Sequence, residues 1–262
     1  MFLWTAIGVG IALIAIAIVI LLPSSPTNLP PTSIQTDGLR CAIVDQLYTV
    51  EPNPTFIEYI TRELENFGFE VDVYQGDEVT VDFYRRLPTY GYKLIIFRVH
   101  GGLLQNESGI GDKIWLFTSQ PYNRMSYFIA QLRDQVRAAG IVSTNNPLFA
   151  VSAKFITDCT KGDFSDTVII NMACAAFHSD DMAQAFIKKG ASAYLAWDVS
   201  VGLHYVDDTT MTLVDKLCSK ELTIAAAVSE TMKEKGPDPD NNAFLYYYPQ
   251  ASADKTVREL IE

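Results

Sequence analysis

The chain has 262 residues, a net charge of −11, and 48% hydrophobic residues. That charge argues against a nucleic-acid footprint, which needs a basic face, and against docking on anionic lipid head groups. The four cysteines, Cys41, Cys159, Cys174 and Cys218, have no CxxC spacing, so neither a zinc knuckle, a redox motif nor a disulfide framework is indicated.

Phe2 through Leu22 carry no charged side chain and are dominated by Ile, Ala, Leu, Val and Gly. About 20 such residues span a bilayer as a helix. A cleaved secretory signal is the alternative, but no Lys or Arg precedes Arg40, and a signal carries a basic start. The reading is therefore a single-pass anchor over residues 1–22. Neither flank offers the charges that set orientation; the soluble domain is expected on the extracytoplasmic side. Pro23, Pro26, Pro30 and Pro31 make residues 23–38 an extended tether. Residues 39–262 suit one α/β domain.

In chain order, Cys41–Asp45 is a strand and Thr55–Phe67 a helix, with Phe56, Ile57, Ile60, Leu64 and Phe67 on one face and Gly68 as its stop. Phe69–Tyr74 alternates as a strand, Val79–Leu87 is a short helix, and Lys93–Val99 is a buried strand ending at His100. This order implies a mostly parallel sheet flanked by helices on both faces. Lys113–Thr118 and Leu148–Ser152 read as strands of an inserted element, with a helix over Met125–Ala139 between them. The alternation resumes with a strand over Thr167–Met172, a helix over Asp180–Lys189, and a strand over Ala191–Trp197. Helices at Val206–Ser219 and Thr223–Lys235 and a strand at Ala243–Tyr248 complete it.

Two strand ends carry reactive groups. Phe97-Arg98-Val99-His100-Gly101-Gly102 and Ile170-Asn171-Met172-Ala173-Cys174-Ala175-Ala176 each close an apolar run with a titratable side chain and small residues. Ligands collect at the carboxyl ends of parallel strands, and a thiol with an imidazole makes an activated nucleophile. The glycines let the backbone turn off the strand so that an N–H can face a substrate carbonyl. A helix beginning near Asp180 would modestly lower the thiol pKa.

With these residues the sequence resembles the caspase-like cysteine peptidases, a group that includes gingipains, clostripain, legumain, separase, metacaspases and CHAT domains. His-Gly after one strand and Ala-Cys after the next core strand is their pattern. The stretch Met182 to Tyr194, with Phe186-Ile187-Lys188-Lys189-Gly190-Ala191 closing a helix before a strand, is similar to gingipain and CHAT sequences. The resemblance implies Cys174 as nucleophile and His100 as acid–base. It also implies an oxyanion hole from the N–H groups of Gly101 and Cys174, worth about 3 kcal/mol per donor. It places a substrate pocket near Asp45 and Asp198, where carboxylates would favour Arg or Lys, with Trp197 as an apolar wall. Met172 stands where clostripain and metacaspases have Asp, which weakens the case for basic specificity. The plainer reading has Asp45 starting a turn, Asp198 capping a loop and Trp197 packing against a helix.

His178 is a rival base and His204 a cleft-rim residue. No HExxH or EF-hand spacing supports a metal, and no cofactor is expected. Asn106-Glu107-Ser108 forms a glycosylation sequon that matters only outside the cell. The reading is a membrane-anchored cysteine endopeptidase acting on peptide or protein substrates through a thioacyl-enzyme. The alternative is an inactive CHAT-like or gingipain-like interaction domain.

Overall fold

The computed structural model describes residues 38–106, 109–140 and 146–262. The proposed anchor and most of the tether lie outside the described residues, as does part of the sequon. Among the described residues no helix is long and apolar enough to cross a membrane.

The chain enters on β1 (Arg40–Asp45), crosses through α1 (Pro54–Phe67) to β2 (Glu70–Gln75), and returns through α2 (Val81–Arg86) to β3 (Leu94–Arg98). Local chemistry sets α1 sharply. Asn53 Oδ1 accepts the Phe56 N–H at 3.1 Å, Pro54 supplies the fixed φ of the first turn, and Gly68 closes the helix at φ 113°.

An antiparallel excursion follows: β4 (Gly101–Asn106), β5 (Gly109–Pro121), α3 (Phe128–Leu132), β6 (Val136–Ala139) and β7 (Leu148–Ser152), then α4 (Ala153–Cys159). The core resumes with β8 (Thr167–Asn171), α5 (Asp181–Lys188), β9 (Ala191–Trp197), α6 (Leu203–Val214), α7 (Ile224–Lys235), β10 (Leu245–Tyr248) and α8 (Val257–Ile261).

The main sheet runs β10-β9-β8-β3-β1-β2, and every pair is parallel except β9 with β10. The period-two geometry of strands divides its side chains between two cores. Ala42, Val44, Ile95, Phe97, Ile169 and Tyr194 join α2, α4 and α5 on one face. Cys41, Ile43, Leu94, Ile96, Val168, Ile170 and Leu195 join α1, α6, α7 and α8 on the other. The expected architecture, a mostly parallel sheet with helices on both faces, is present.

The smaller sheet runs β4-β5-β7-β6. Its Ile114, Leu116, Phe149 and Val151 share the α2/α4/α5 core, while Trp115, Phe117 and Ala150 form a separate small cluster. The inserted strands anticipated from sequence are thus real.

The helix expected over Met125–Ala139 is a correction. Only Phe128–Leu132 is helical, and Val136–Ala139 pairs antiparallel with β7. Asp134 at φ 54° ends the helix, and hydrogen bonding along a sheet edge prevails over helical spacing. Two helices had no counterpart in the sequence reading. One is α4, capped when Ser152 Oγ accepts the Phe155 N–H at 3.3 Å; the other is α8, closed by a Thr256/Glu259 capping box. Cys159 ends α4 and is half-buried. Cys41 and Cys218 are buried, as expected of small apolar packing residues.

Candidate active site at the carboxyl ends of β3 and β8

Strands β3 and β8 are hydrogen-bonded parallel neighbours, with Phe97 opposite Asn171. His100 and Cys174 each lie three residues beyond that pair, so the two loops leave the sheet side by side at the same level. Their contact is tight. A methyl group added at Gly101 would overlap the Cys174 carbonyl oxygen and would sit 2.9 Å from Ala173 Cβ and 3.3 Å from the Cys174 nitrogen. Glycine is required there by close backbone approach, not by an unusual φ. The two residues proposed for the oxyanion hole are therefore neighbours in space.

The histidine loop rests on buried polar side chains. Gln46 Oε1 accepts the His100 N–H at 3.0 Å, His100 O accepts the Phe117 N–H at 3.0 Å, and the Phe117 ring meets the imidazole edge-on at 5.9 Å. Beneath it lies Arg98, 1% exposed. Its Nε and Nη2 each donate to Asp207 at 2.9 Å, Nη1 donates to Asp45 Oδ1 at 2.8 Å, and Nη2 also donates to the Glu51 carbonyl at 2.9 Å. Asn53 Nδ2 donates to Asp207 Oδ2 at 2.9 Å. One guanidinium thus holds two buried carboxylates. Burial raises the Asp45 pKa despite that pairing. Burial lowers the His100 pKa, against the pull of Glu51 and with the help of Arg98. The imidazole is therefore neutral at pH 7, the form that can accept a proton.

The cysteine loop rests on one amide side chain and on main-chain contacts. Asn171 Oδ1 accepts the Ala173 N–H at 3.0 Å, and its Nδ2 donates to Tyr194 Oη at 3.0 Å. Ala175 adopts φ 55°, a left-handed conformation that costs a Cβ-bearing residue about 1–2 kcal/mol. It is held there because its N–H donates to Val199 O at 2.9 Å, while Phe177 N–H donates to Trp197 O at 2.7 Å. Such local strain clusters at functional sites.

Cys174 Sγ faces the loop after β9, within 3.5 Å of both the Val201 N–H, which donates to it, and the Val201 carbonyl, which accepts from the thiol. That loop is pinned in turn. The buried Asp238 carboxylate accepts the Gly202 N–H at 2.8 Å and Asn241 Nδ2 at 2.9 Å. Burial raises the Cys174 pKa; hydrogen bonds from Val201 and its own N–H oppose this, and the Asp238 charge adds to it. The anticipated lowering by the helix at Asp180 does not prevail, because burial of the thiol outweighs it.

The other sequence candidates fall as follows. Asp45 is fully buried and committed through Oδ1 to Arg98. Asp198 is half-buried, and its Oδ1 accepts the Phe244 N–H at 2.8 Å, a loop cap. Trp197 is 1% exposed, packed in the core with Tyr205 edge-on at 5.6 Å. Asp45 Oδ2 has no hydrogen-bond partner among the described residues, and Asp45 lines a hollow of about 420 Å³ with Tyr48, Asn53, Pro54, Ile57, Glu58 and Gln75. His178 and His204 are exposed, Met172 is buried, and Asp180 and Asp181 begin α5 as expected. Among the described residues no cluster of three or more His, Cys, Asp or Glu could hold a metal ion.

Sequence reasoning missed Gln46, Arg98, Asp207, Ala175, Val201 and Asp238. One signal was available: Arg98 is a charge inside an otherwise apolar strand, and a buried guanidinium must find partners. It also missed the apolar rim beside the cysteine loop. Val199, Phe244 and Tyr246 are 36%, 37% and 45% exposed, and Tyr246 stacks on Phe177 at 5.8 Å.

No family model matches the chain, and no curated protein does. Among solved structures it is similar to the Arg-specific cysteine proteinase gingipain R, at 11% identity and a TM-score of 0.46 over 76% of this chain. It spans 43% of the length of that proteinase chain.

Proposed function

We propose that this chain is a cysteine peptidase in which Cys174 is the nucleophile and His100 the acid–base. The observation that carries the reading is the juxtaposition of the two loops. Adjacent parallel strands deliver an imidazole and a thiol to one sheet end in register, with Gly101 seated on the Cys174 backbone. The sequence resemblance to caspase-like peptidases supports the same assignment.

The chemistry follows from the groups present. His100, neutral at pH 7, takes the Cys174 proton as Sγ attacks the substrate carbonyl carbon. The Gly101 and Cys174 N–H groups stabilise the oxyanion. The imidazolium then protonates the departing amine, leaving a thioacyl-enzyme. Water, deprotonated by His100, hydrolyses the thioester and restores the thiol. For this Sγ must turn from Val201 toward the cleft. Val199, Phe244 and Tyr246 supply an apolar shelf for the substrate chain. A preference for basic residues would have to work through carboxylates already engaged through one oxygen each, Asp45 with Arg98 and Asp198 with the Phe244 N–H. Phe2–Leu22 would tether the enzyme to a membrane.

The test is labelling of the full chain in detergent with acyloxymethyl-ketone probes carrying Arg, Asp or Leu. Labelling that vanishes in Cys174→Ala and falls by about 10²-fold or more in His100→Ala is expected. Labelling unchanged in Cys174→Ala would remove the assignment. No labelling of the native chain, with the fold intact by circular dichroism, would favour the interaction-domain alternative.

A further inference from the structure

An apolar stripe points the wrong way. Met125, Phe128, Ile129 and Leu132 follow the i, i+3, i+4, i+7 spacing that normally marks the buried side of a helix. Here they are 72%, 53%, 58% and 68% exposed. They include four of the nine large hydrophobic side chains found exposed among the described residues. Contiguous exposed apolar surface of this kind marks an interaction site.

The segment is held firmly from beneath. Gln131 Nε2 donates to Ser126 O at 2.6 Å, Tyr122 Oη donates to Gln131 Oε1 at 2.8 Å, and Tyr127 packs edge-on to Phe149 at 5.2 Å. Between the stripe residues lies a shallow hollow of about 420 Å³ lined by Arg124, Met125, Phe128, Gln131 and Leu132.

The charge around the stripe is opposite to that of the protein. Arg124, Arg133 and Arg137 stand against a single acidic residue, Asp134, over positions 123–139, in a chain of net charge −11. Lys154 adds to the fringe, its Nζ donating to the Arg133 carbonyl at 2.7 Å. Bulky apolar side chains with Arg124 lining the hollow between them, and Arg133 next along the chain, match the boundary between lipid head groups and acyl chains, where Arg reaches phosphate while its neighbours enter the apolar layer.

Such a surface is within reach. Residues 23–37 extend at most about 50 Å, comparable to the roughly 45 Å breadth expected of a domain of this size. A tether of that length does not by itself hold the domain away from a bilayer that takes up Phe2–Leu22.

We propose that Met125, Phe128, Ile129 and Leu132 form a membrane-docking face that lays the domain against a bilayer containing phosphate-bearing lipids. The inference rests on the reading of Phe2–Leu22 as an anchor.

The experiment reconstitutes the full chain into phosphatidylcholine/phosphatidylglycerol vesicles containing a phospholipid with a diazirine on its acyl chain. After irradiation, adducts are mapped by peptide mass spectrometry. Adducts are expected both in residues 1–22 and in 124–132. Phe128→Ser with Leu132→Ser, both solvent-facing substitutions, should lower the second set at least about fivefold and leave the first unchanged. Adducts in 1–22 with none in 124–132 would overturn the docking face while the anchor stands. Adducts in neither segment would overturn both. Sedimentation of the detergent-solubilised chain provides the control. A dimer that dissociates on Leu132→Ser would assign the face to a second copy and overturn the proposal.

Discussion

The two walls of the cleft are held in different ways. On the histidine side, support comes from charged and amide side chains brought from distant parts of the chain: Gln46 on the His100 backbone, and Arg98 joining Asp45 to Asp207. On the cysteine side one amide side chain, Asn171, takes the Ala173 N–H, and the rest comes from the main chain: Val199 O, Trp197 O and Val201 hold Ala175, Phe177 and Sγ, with Asp238 fixing the supporting loop. A buried ion cluster has fixed stoichiometry and fails when one member is lost. A hydrogen-bonded loop can shift by small steps. The first arrangement holds the His100 backbone in place, and the second leaves the Cys174 loop more freedom to move, as the proposed roles of the two residues would need.

Removing Arg98 should expose that difference most strongly. Arg98→Met leaves two buried carboxylates without their cation and is expected to cost about 3–5 kcal/mol. For a domain of this size that lowers the melting temperature by roughly 10 °C. A change under about 2 °C in thermal unfolding would show that the network does not support the histidine wall.

Gly101→Ala acts where the walls touch. The added methyl collides with the Cys174 carbonyl, so the loops must separate, and misplacement near 1 Å costs about 10²-fold in catalysis. Probe labelling should fall by at least tenfold with an overpacking penalty of about 1–3 kcal/mol. Unimpaired labelling would mean that the close approach is unimportant to the site.

Ala175→Gly has the opposite sign. Glycine relieves the left-handed strain but raises the conformational entropy of the unfolded chain, so the two partly cancel and stability should stay level or rise by up to about 1 kcal/mol. The same change at the neighbouring buried Ala176 should destabilise. If denaturant unfolding shows both variants equally weakened, Ala175 is not strained.

The smallest effect concerns pH. With the Cys174 pKa raised by burial, alkylation of the resting enzyme by iodoacetamide should still be climbing above the usual thiol range, because the reactive thiolate forms only there. Asp238→Asn removes a negative charge that raises this pKa, so its profile should move toward lower pH. A rate plateau near neutrality in the native chain would indicate a standing thiolate–imidazolium pair instead.

Strand runs such as Leu94–Arg98 and Thr167–Asn171, the capped helix α1, and the reactive ends at His100 and Cys174 were legible because each depends on local spacing. The segment from Met125 to Ala139 was not. Its stripe has helical spacing, yet β6 formed because β7 offered an unpaired edge, and the stripe itself faces outward. Asp45, Asp198 and Trp197 were nominated by position in a family pattern. The fold placed them in an ion cluster, a loop cap and a core, since a strand-end position does not reveal what the neighbouring loops will cover.

The sequence by itself determined the alternation of strands and helices and the two side chains at the ends of β3 and β8, because period and capping are encoded within a few residues. Only the tertiary structure decided that Arg98 would gather Asp45 and Asp207, that Val201 would enclose the thiol, and that Gly101 would rest on Cys174. Those pairings join residues tens of positions apart, and strand register and loop packing in three dimensions select them.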